Sequence, residues 1–526
     1  MKFSAQALIV SSLALPSEGF STGNAGRAKT NQQVFTTVST TKLSSTTDAD
    51  LERERISALP LPPSRNQGPF RGLRESISHL SNNKRFVEKR RKELGPVFLS
   101  NIFFQPTVVI GGNEAVKEFV SGTELRSKVI NAALPDTFKE LHTKWGTLNL
   151  DSTDVVFKQA RKLFTDILGK SALTLYTGLI NDEMDRYIAD LSERVQDDPD
   201  REILLVAELK DLCLQIFSKI FSGKGLSDEQ VQMFNDYNNA LLSLPFEKKK
   251  LEKGRLALDT LKKDMISRFK EGEKGDAQGD SNASTNLFHD MVDGREGFED
   301  DDRIASVMVL MIWAAYIECA SLMVNSLTAI TKYDTKCTDK ILAELNAQES
   351  KATISASDYA FWSEMNETLG VLRESLRLIP PGGGTQRFSE EDFELLGYRI
   401  PAGTAVMMDP RVGNTDPNLF TEPEKFAPSR WVPLKTDEAA SGCPFEGTAL
   451  KLGVGSWFPG GFGAHQCPGL PLAELTSKMF LAKSVKAFEG WQFESGLDKN
   501  GDVKFVEVPI KIPTDCFGVK FSARKE

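Results

Sequence analysis

Apolar positions recur at helical spacing over most of the chain. A Pro-rich entry, LPLPPSRNQGPFRGL from Leu59, cannot be helix, because proline removes a donor and clashes with the preceding turn. Helical periodicity then covers 73–94. Two runs with strand alternation follow, PVFLSNIFF at 96–104 and PTVVIGG at 106–112, and predict a small sheet closed by a Gly-Gly stop. From Asn113 to about Lys270 the pattern is mostly helical, with charges four residues apart on many faces. The polar, Gly-rich segment EGEKGDAQGDSNAST at 271–285 predicts a surface loop. An acidic stretch, GFEDDDR at 297–303, leads into the longest apolar helix, from Ile304 to about Ile330. Asp300, Asp301 and Asp302 sit at its positive end. That helix is roughly 40 Å long, enough to cross a domain. Its uninterrupted apolar core, Val307–Ile317, is shorter than the roughly 20 residues a membrane span needs, so it predicts a buried central helix. After Ser357 a further helix runs to Leu378 and stops at Pro380-Pro381. Turns and short strands (YRIPAGTAVMM), a Pro-rich stretch, a Gly-rich loop and a helix from about Leu470 to Phe488 complete the body. The fold class is mainly α with small β-sheets (α+β), without visible internal repeats.

Composition narrows the classes. At 526 residues the length alone suggests about three domains. The formal net charge is −9, with no basic footprint of the kind a nucleic-acid binder carries. Hydrophobic residues at 40% and charged residues at 26% exclude collagenous, wholly disordered and polytopic membrane chains. Phe (33) far outnumbers Tyr (7), which suits apolar cavities. The six cysteines are scattered with no CxxC pair, and the four histidines form no HExxH motif. Neither a disulfide scaffold nor a zinc site follows.

The N-terminal segment differs from the rest. Lys2 precedes an apolar stretch, Ala5–Leu15, too short to span a bilayer. Pro16 and small residues follow, as in a signal peptide. From Ser21 to Thr47 there are 12 Ser or Thr in 27 residues, with Arg27, Lys29 and Lys42 and no acid. That is a transit-peptide composition. The order resembles the bipartite plastid leaders of algae with secondary plastids, and Phe20 fits it. A targeting leader over 1–50 and a plastid destination are therefore expected. A plain secretory signal, leading to the endoplasmic reticulum or secretory pathway, is the alternative.

The chemistry concentrates in WFPGGFGAHQCPGLPLAEL at 457–475. Cys467 lies between a glycine-rich loop and a new helix, where a helix N-terminus and nearby cations favour thiolate. Glycines let backbone approach a flat ligand closely. A thiolate can serve as the axial ligand of haem iron. Alone, the loop equally suits a buried structural cysteine. Two distant motifs tip the balance. Glu374 and Arg377 lie three apart on one helical face, followed at once by Leu378-Ile379-Pro380-Pro381. Glu52/Arg55, Glu88/Arg91 and Glu183/Arg186 share that spacing without that sequel. About fifty residues on, PEKFAPSRW at 423–431 carries Arg430. A buried Glu–Arg–Arg cluster can lock this stretch before a haem loop, because unpaired buried charges are costly.

In this order and spacing the motifs resemble the cytochrome P450 family, from about Leu59 to the C-terminus. LRLIPPGGG is most similar to its retinoid- and carotenoid-handling branch. The resemblance implies a P450-like fold with a long central helix over the haem, and one catalytic domain over 51–526. It implies haem b with Cys467 as axial iron ligand, His465, Arg387 and Arg161 on the propionates, and Phe462, Gly463 and Gly469 in the cofactor loop. Glu374, Arg377 and Arg430 would be the structural cluster. Trp313, Ala314, Ala315, Gly383, Gly384, Thr385 and residues near Pro513 would line the substrate pocket.

The chain departs from the family in three places. Phe157 stands where the family has a hydrogen-bonding Trp or His, and Gly460 where it has Phe. In the long helix the family's acid and alcohol, which relay protons, are Ile317 and Glu318, followed by Cys319. A register shifted by one would make Glu318 the acid and Cys319 the alcohol's replacement, so both are candidate catalytic residues. A haem-thiolate monooxygenase is expected, using O2 on a small apolar substrate, isoprenoid or lipid. Electrons come from a separate donor, ferredoxin or a P450 reductase. Peripheral membrane contact is compatible with this, and no nucleic acid is involved. The alternatives are a P450-like isomerase or dehydratase that takes hydroperoxides without external electrons, and a non-catalytic haem-binding relic.

Overall fold

The computed structural model describes residues 48–65, 71–81, 83–102, 105–121, 129–132, 140–141, 145, 147, 150, 152–241, 243, 247–277, 287–333, 336–351, 353–382, 385–408, 413–433, 449, 457, 459–461, 463–506 and 511–524. Residues 1–47 of the expected leader lie outside them. Three helices come first: α1 (Asp48–Ser57), α2 (Arg71–Ser81) and α3 (Asn83–Leu94). The periodic stretch 73–94 is thus two helices. The first ends at Ser81 and the second begins at Asn83. The hairpin β1 (Val97–Ile102) and β2 (Gln105–Ile110) follows as expected.

Next come α4 (Asn113–Ser121) and β3 (Val129–Ala132). The β-branched pair Val129-Ile130 puts a strand where helix was expected. Then α5 (Val155–Ile167), α6 (Lys170–Asp197), β4 (Ile203–Leu204), α7 (Leu205–Ser222), α8 (Asp228–Leu241) and α9 (Lys248–Ala277) build one helical half. Helix α9 runs into the polar segment expected to be loop. Its Glu and Lys are good helix formers, and each glycine costs only about 1 kcal/mol.

After α10 (Leu287–Val292), the central helix α11 spans Asp301–Tyr333, a turn longer at its start than expected. It is long and apolar enough to cross a membrane, but 83% of its most apolar window is buried inside the fold. It is the axis of the main core, packed on α7, α9 and, further along the chain, α15 (Leu470–Ala487). The segments α12 (Cys337–Glu349), α13 (Tyr359–Ser363) and α14 (Asn366–Leu378) complete this half. The helix expected after Ser357 is broken between α13 and α14. Glu344 on α12 caps the second piece, accepting from Glu367 N (2.8 Å), Thr368 N (3.0 Å) and the Thr368 hydroxyl (2.8 Å).

The strands β5 (Thr385–Ser389), β6 (Phe393–Leu395), β7 (Tyr398–Ile400) and β8 (Ala405–Met408) return across the front. Five strands form a sheet in the order β1-β2-β8-β5-β3, with β2 and β8 parallel. Beyond α15, β9 (Phe488–Phe493), β10 (Phe505–Val506), β11 (Ile512–Pro513) and β12 (Gly518–Ala523) supply the ribbon β10-β11 and the sheet β4-β12-β9. The result is mainly α with small sheets.

Candidate active site

The cysteine loop is shaped by glycines. Gly461 and Gly463 take left-handed backbone, at φ +76° and +71°, which glycine alone adopts at no steric cost. A β-carbon at Gly460 would sit 3.0 Å from the Cys467 β-carbon, while the Gly460 carbonyl accepts from Cys467 N at 2.7 Å. A short 3-10 turn, Gly463–His465, brings the chain to the cysteine. Gly469 is the N-cap of α15. The amides of Gly469 and Leu470 donate to the Cys467 sulfur, so the helix end supports thiolate. Phe462 lies outside the described residues.

Across from this loop stands α11. Most of the helix is buried, yet Ala314 near its middle is exposed and Ala315 and Glu318 are half-buried. Burial nevertheless pushes the Glu318 carboxyl up from 4.5 to about 7. Cys467 behaves the same way: the residue is exposed, yet burial pushes its thiol up, with the Glu318 carboxyl adding to the effect. Both observations hold if these side chains open onto an interior chamber walled by protein. Ala314 and Glu318 lie one turn apart on the open face. Among the described residues Glu318 has no hydrogen-bond or ion-pair partner.

A cation stands near the thiol. Burial lowers the Arg161 guanidinium on α5, and the Cys467 sulfur partly restores it. On the same helix, the Phe157 ring sits 4.5 Å from the His465 ring, tilted at 47°. Where the family has a hydrogen-bond donor, this chain packs an aromatic face on the imidazole. Arg387 stands on β5 opposite Val406, and burial pulls its guanidinium down to about 10. One enclosed thiol, two enclosed guanidiniums and an imidazole are the donor set that a flat, dianionic iron cofactor needs, and the small side chains of Ala314 and Ala315 leave room for it. The residues fit haem.

The structure brings Glu374, Arg377 and Arg430 together. Arg377 donates to both Glu374 oxygens (2.8 and 2.7 Å), and both side chains are fully buried. Its remaining donors reach the carbonyls of Asn414 (2.7 Å), Pro423 (2.6 Å) and Lys425 (3.0 Å). Arg430 Nε lies 3.3 Å from Glu374. The alternative Glu183/Arg186 pair puts its arginine in solvent, at 64% side-chain exposure. Sequence reasoning missed Trp431, whose indole N–H donates to Glu374 at 2.8 Å. Its signal was its place beside Arg430 in PSRW. It also missed Ser321 and Asn325 on α11, which hold the Lys511 carbonyl at 2.7 and 3.2 Å and so fix the segment before Pro513. Polar residues inside an apolar helix were the available clue.

Two expected site residues point elsewhere. Cys319 is buried, 3.7 Å from the Ser477 hydroxyl and in thiol contact with Cys213. It lies about 100° round the helix from Glu318, in the packing against α7 and α15. Trp313 is buried against Tyr237, and its indole N–H donates to Asn238 at 3.1 Å. It belongs to the α8 contact and does not share the open face of Ala314. Gly383 and Gly384 lie outside the described residues. Thr385 opens β5, paired with Met408.

Comparisons with known proteins agree with this geometry. Taxane 10-beta-hydroxylase of Taxus cuspidata is 24% identical over 490 residues, covering 89% of this chain and 91% of that protein. Cytochrome P450 26C1 of Mus musculus is 25% identical over 470 residues, covering 83% and 84%. The solved retinoic acid bound cyanobacterial CYP120A1 superposes with a TM-score of 0.71 at 20% identity, over 89% of this chain and all of that one. The Cytochrome P450 family model matches residues 62–504. The chain therefore belongs to the cytochrome P450 family and is a haem-binding oxidoreductase of the monooxygenase type.

Proposed function

We propose that this enzyme oxygenates a small apolar substrate of the isoprenoid or lipid class, with O2 and electrons from a separate donor, ferredoxin or a P450 reductase. The single observation that carries the reading is that the Cys467 sulfur and the Glu318 carboxyl, on the open Ala314–Glu318 face of α11, lie close enough to act on each other electrostatically. Support for the substrate class comes from the relatives: the Taxus protein is named a taxane hydroxylase, and the cyanobacterial structure is described as bound to retinoic acid. Haem, when bound, would supply dioxygen activation. Cys467 would supply the thiolate that holds it, the Gly469 and Leu470 amides support the sulfur's charge, and Arg161, Arg387 and His465 would pair with its carboxylates. On the substrate side, Ala314 and Ala315 leave space. Glu318 carries a proton that it can give up near neutral pH, at the helix position where the family has an alcohol. A positioned acid of this kind typically contributes about 10²–10⁴-fold in rate.

The same acid fits a second reading, in which Glu318 protonates a substrate oxygen and favours rearrangement of a hydroperoxide. One experiment separates the readings. The purified chain, which should show a red-shifted ferrous–CO adduct, is screened against terpenoids, carotenoids, retinoids and lipid hydroperoxides. Product that forms only with reductant and O2 supports oxygenation. Turnover of hydroperoxide without reductant overturns it, and haem binding with neither activity leaves a non-catalytic haem protein. We place the catalytic domain at 51–526 and a plastid-targeting leader at 1–50, on the leader's Ser/Thr-rich, acid-poor composition.

A further inference from the structure

The acidic stretch before the central helix was read from sequence only as charge at a helix end, but it carries a buried cation. Arg303, in the first turn of α11, is 3% exposed. Its guanidinium is held between two aromatic faces, 4.4 Å from the Phe298 ring centre and 5.2 Å from that of Trp145. Its fork reaches three oxygens. Nη1 donates to Gln159 Oε1 at 2.8 Å and to the Gly297 carbonyl, and Nη2 donates to the Val156 carbonyl at 3.0 Å. Asp154, Glu299 and Asp300 supply the surrounding negative charge. The joint is tight. Gly297 has φ +85°, and a β-carbon there would come within 2.2 Å of Gln159 Oε1.

Val156 and Gln159 flank Phe157 on the first turns of α5, the helix that carries Phe157 against His465 and Arg161 near Cys467. The far end of α5 is tied to the same segment, because Arg295 donates to Asp166 at 2.6 Å. The stretch Arg295–Arg303 therefore clamps α5 at both ends, and Arg303 is where that clamp meets the central helix. We propose that Arg303 is a positioning residue. Through Val156 and Gln159 it sets the attitude of α5 relative to α11, and so places Arg161 and the Phe157–His465 contact for the acidic edge of the cofactor. This rests on the haem reading of Cys467. An arginine is needed because lysine lacks the planar fork and the stacking faces.

The test is haem release, followed by transfer to excess apomyoglobin, from the native holoprotein and its variants. Supporting partners of a metal site typically change affinity about 10–100-fold. Arg303→Gln should release haem at least about tenfold faster, in that range, and Arg303→Lys should rescue it only in part. Gln159→Ala removes one acceptor alone and should speed release several-fold. It carries the test if Arg303→Gln yields little folded protein. Because Arg303 acts through α5, its effect should largely vanish in an Arg161→Gln background, as coupled sites are non-additive. Effects of Arg303 and Arg161 that simply multiply overturn the proposal, as does native-rate release from Gln159→Ala. A native chain without haem would instead sink the reading of Cys467.

Discussion

Glu318→Gln removes a titrating proton at nearly constant volume, and its effect on stability follows from the geometry. The carboxyl has no partner among the described residues, and burial raises it from 4.5 to about 7. Between these values the folded protein keeps a proton that the unfolded chain releases. Native stability therefore falls as pH rises through that window, and the loss is complete above about pH 8. Moving a carboxyl that far corresponds to about 3 kcal/mol at 1.36 kcal/mol per pH unit. Glutamine has no such dependence. The variant should match the native protein at pH 4.5 and exceed it by about 3 kcal/mol at pH 8. Denaturant unfolding of the two holoproteins at half-unit pH steps measures this directly. The same variant should lose at least roughly tenfold in turnover while keeping its haem. A flat stability difference from pH 5 to 8 would refute the burial argument. Unchanged turnover would make the carboxyl structural.

Other substitutions address the rest of the site. Cys467→Ala should abolish the red-shifted ferrous–CO band, and a surviving band would end the axial-ligand assignment. Arg377→Ala strands a buried carboxylate and should cost about 3–5 kcal/mol, leaving little holoprotein on expression. Arg186→Ala, at the exposed arginine of the look-alike pair, should express like the native chain. Trp431→Phe removes one hydrogen bond to a charged group, so unfolding should show a loss of about 1.5–3 kcal/mol. A fluorescent protein carrying residues 1–47 should reach the plastid, and its secretion would dismiss the leader assignment.

Helix periodicity marked the long elements well and the breaks poorly. The central helix could be read because its apolar run is bounded by acids on one side and has few interruptions. Its ends shifted by about a turn, since the charged residues Asp301, Asp302 and Lys332 continue the helix while pairing with Lys270, Lys262 and Asp502 respectively. The break between α13 and α14 had no local signal strong enough to see. It depends on a carboxylate from α12, whose partners are 23 and 24 residues away in sequence. The strand β3 was likewise hidden in a helical region, because its pairing with β5 joins Val129 to Ser389. Non-local contacts of this kind override propensity, and single-sequence periodicity does not record them.

The site divides along the same line. Cys467, Glu374, Arg377 and Arg430 were legible because their motifs are local and chemically constrained: a thiol at a helix start, and charges whose burial demands partners. Which side of α11 faces the chamber was not legible. An apolar helix reads alike all round, and Glu318 and Cys319 differ by a single step in sequence. In the structure their surroundings differ. The thiol at 319 finds Ser477 and Cys213, whereas the carboxyl at 318 finds no partner among the described residues and shares an open face with Ala314. A carboxyl left without a partner beside an alanine exposed in mid-helix is costly to keep. Local strain on polar burial of this sort tends to mark a working site. The same logic separates Arg303 from the acids before it. Those acids pair at the surface with Lys262 and Lys270, while the arginine turns inward to grip the helix on the other side of the chamber. The two walls of the site are thus joined by a residue that no motif announces, and its contribution is visible only once α5 and α11 are seen side by side.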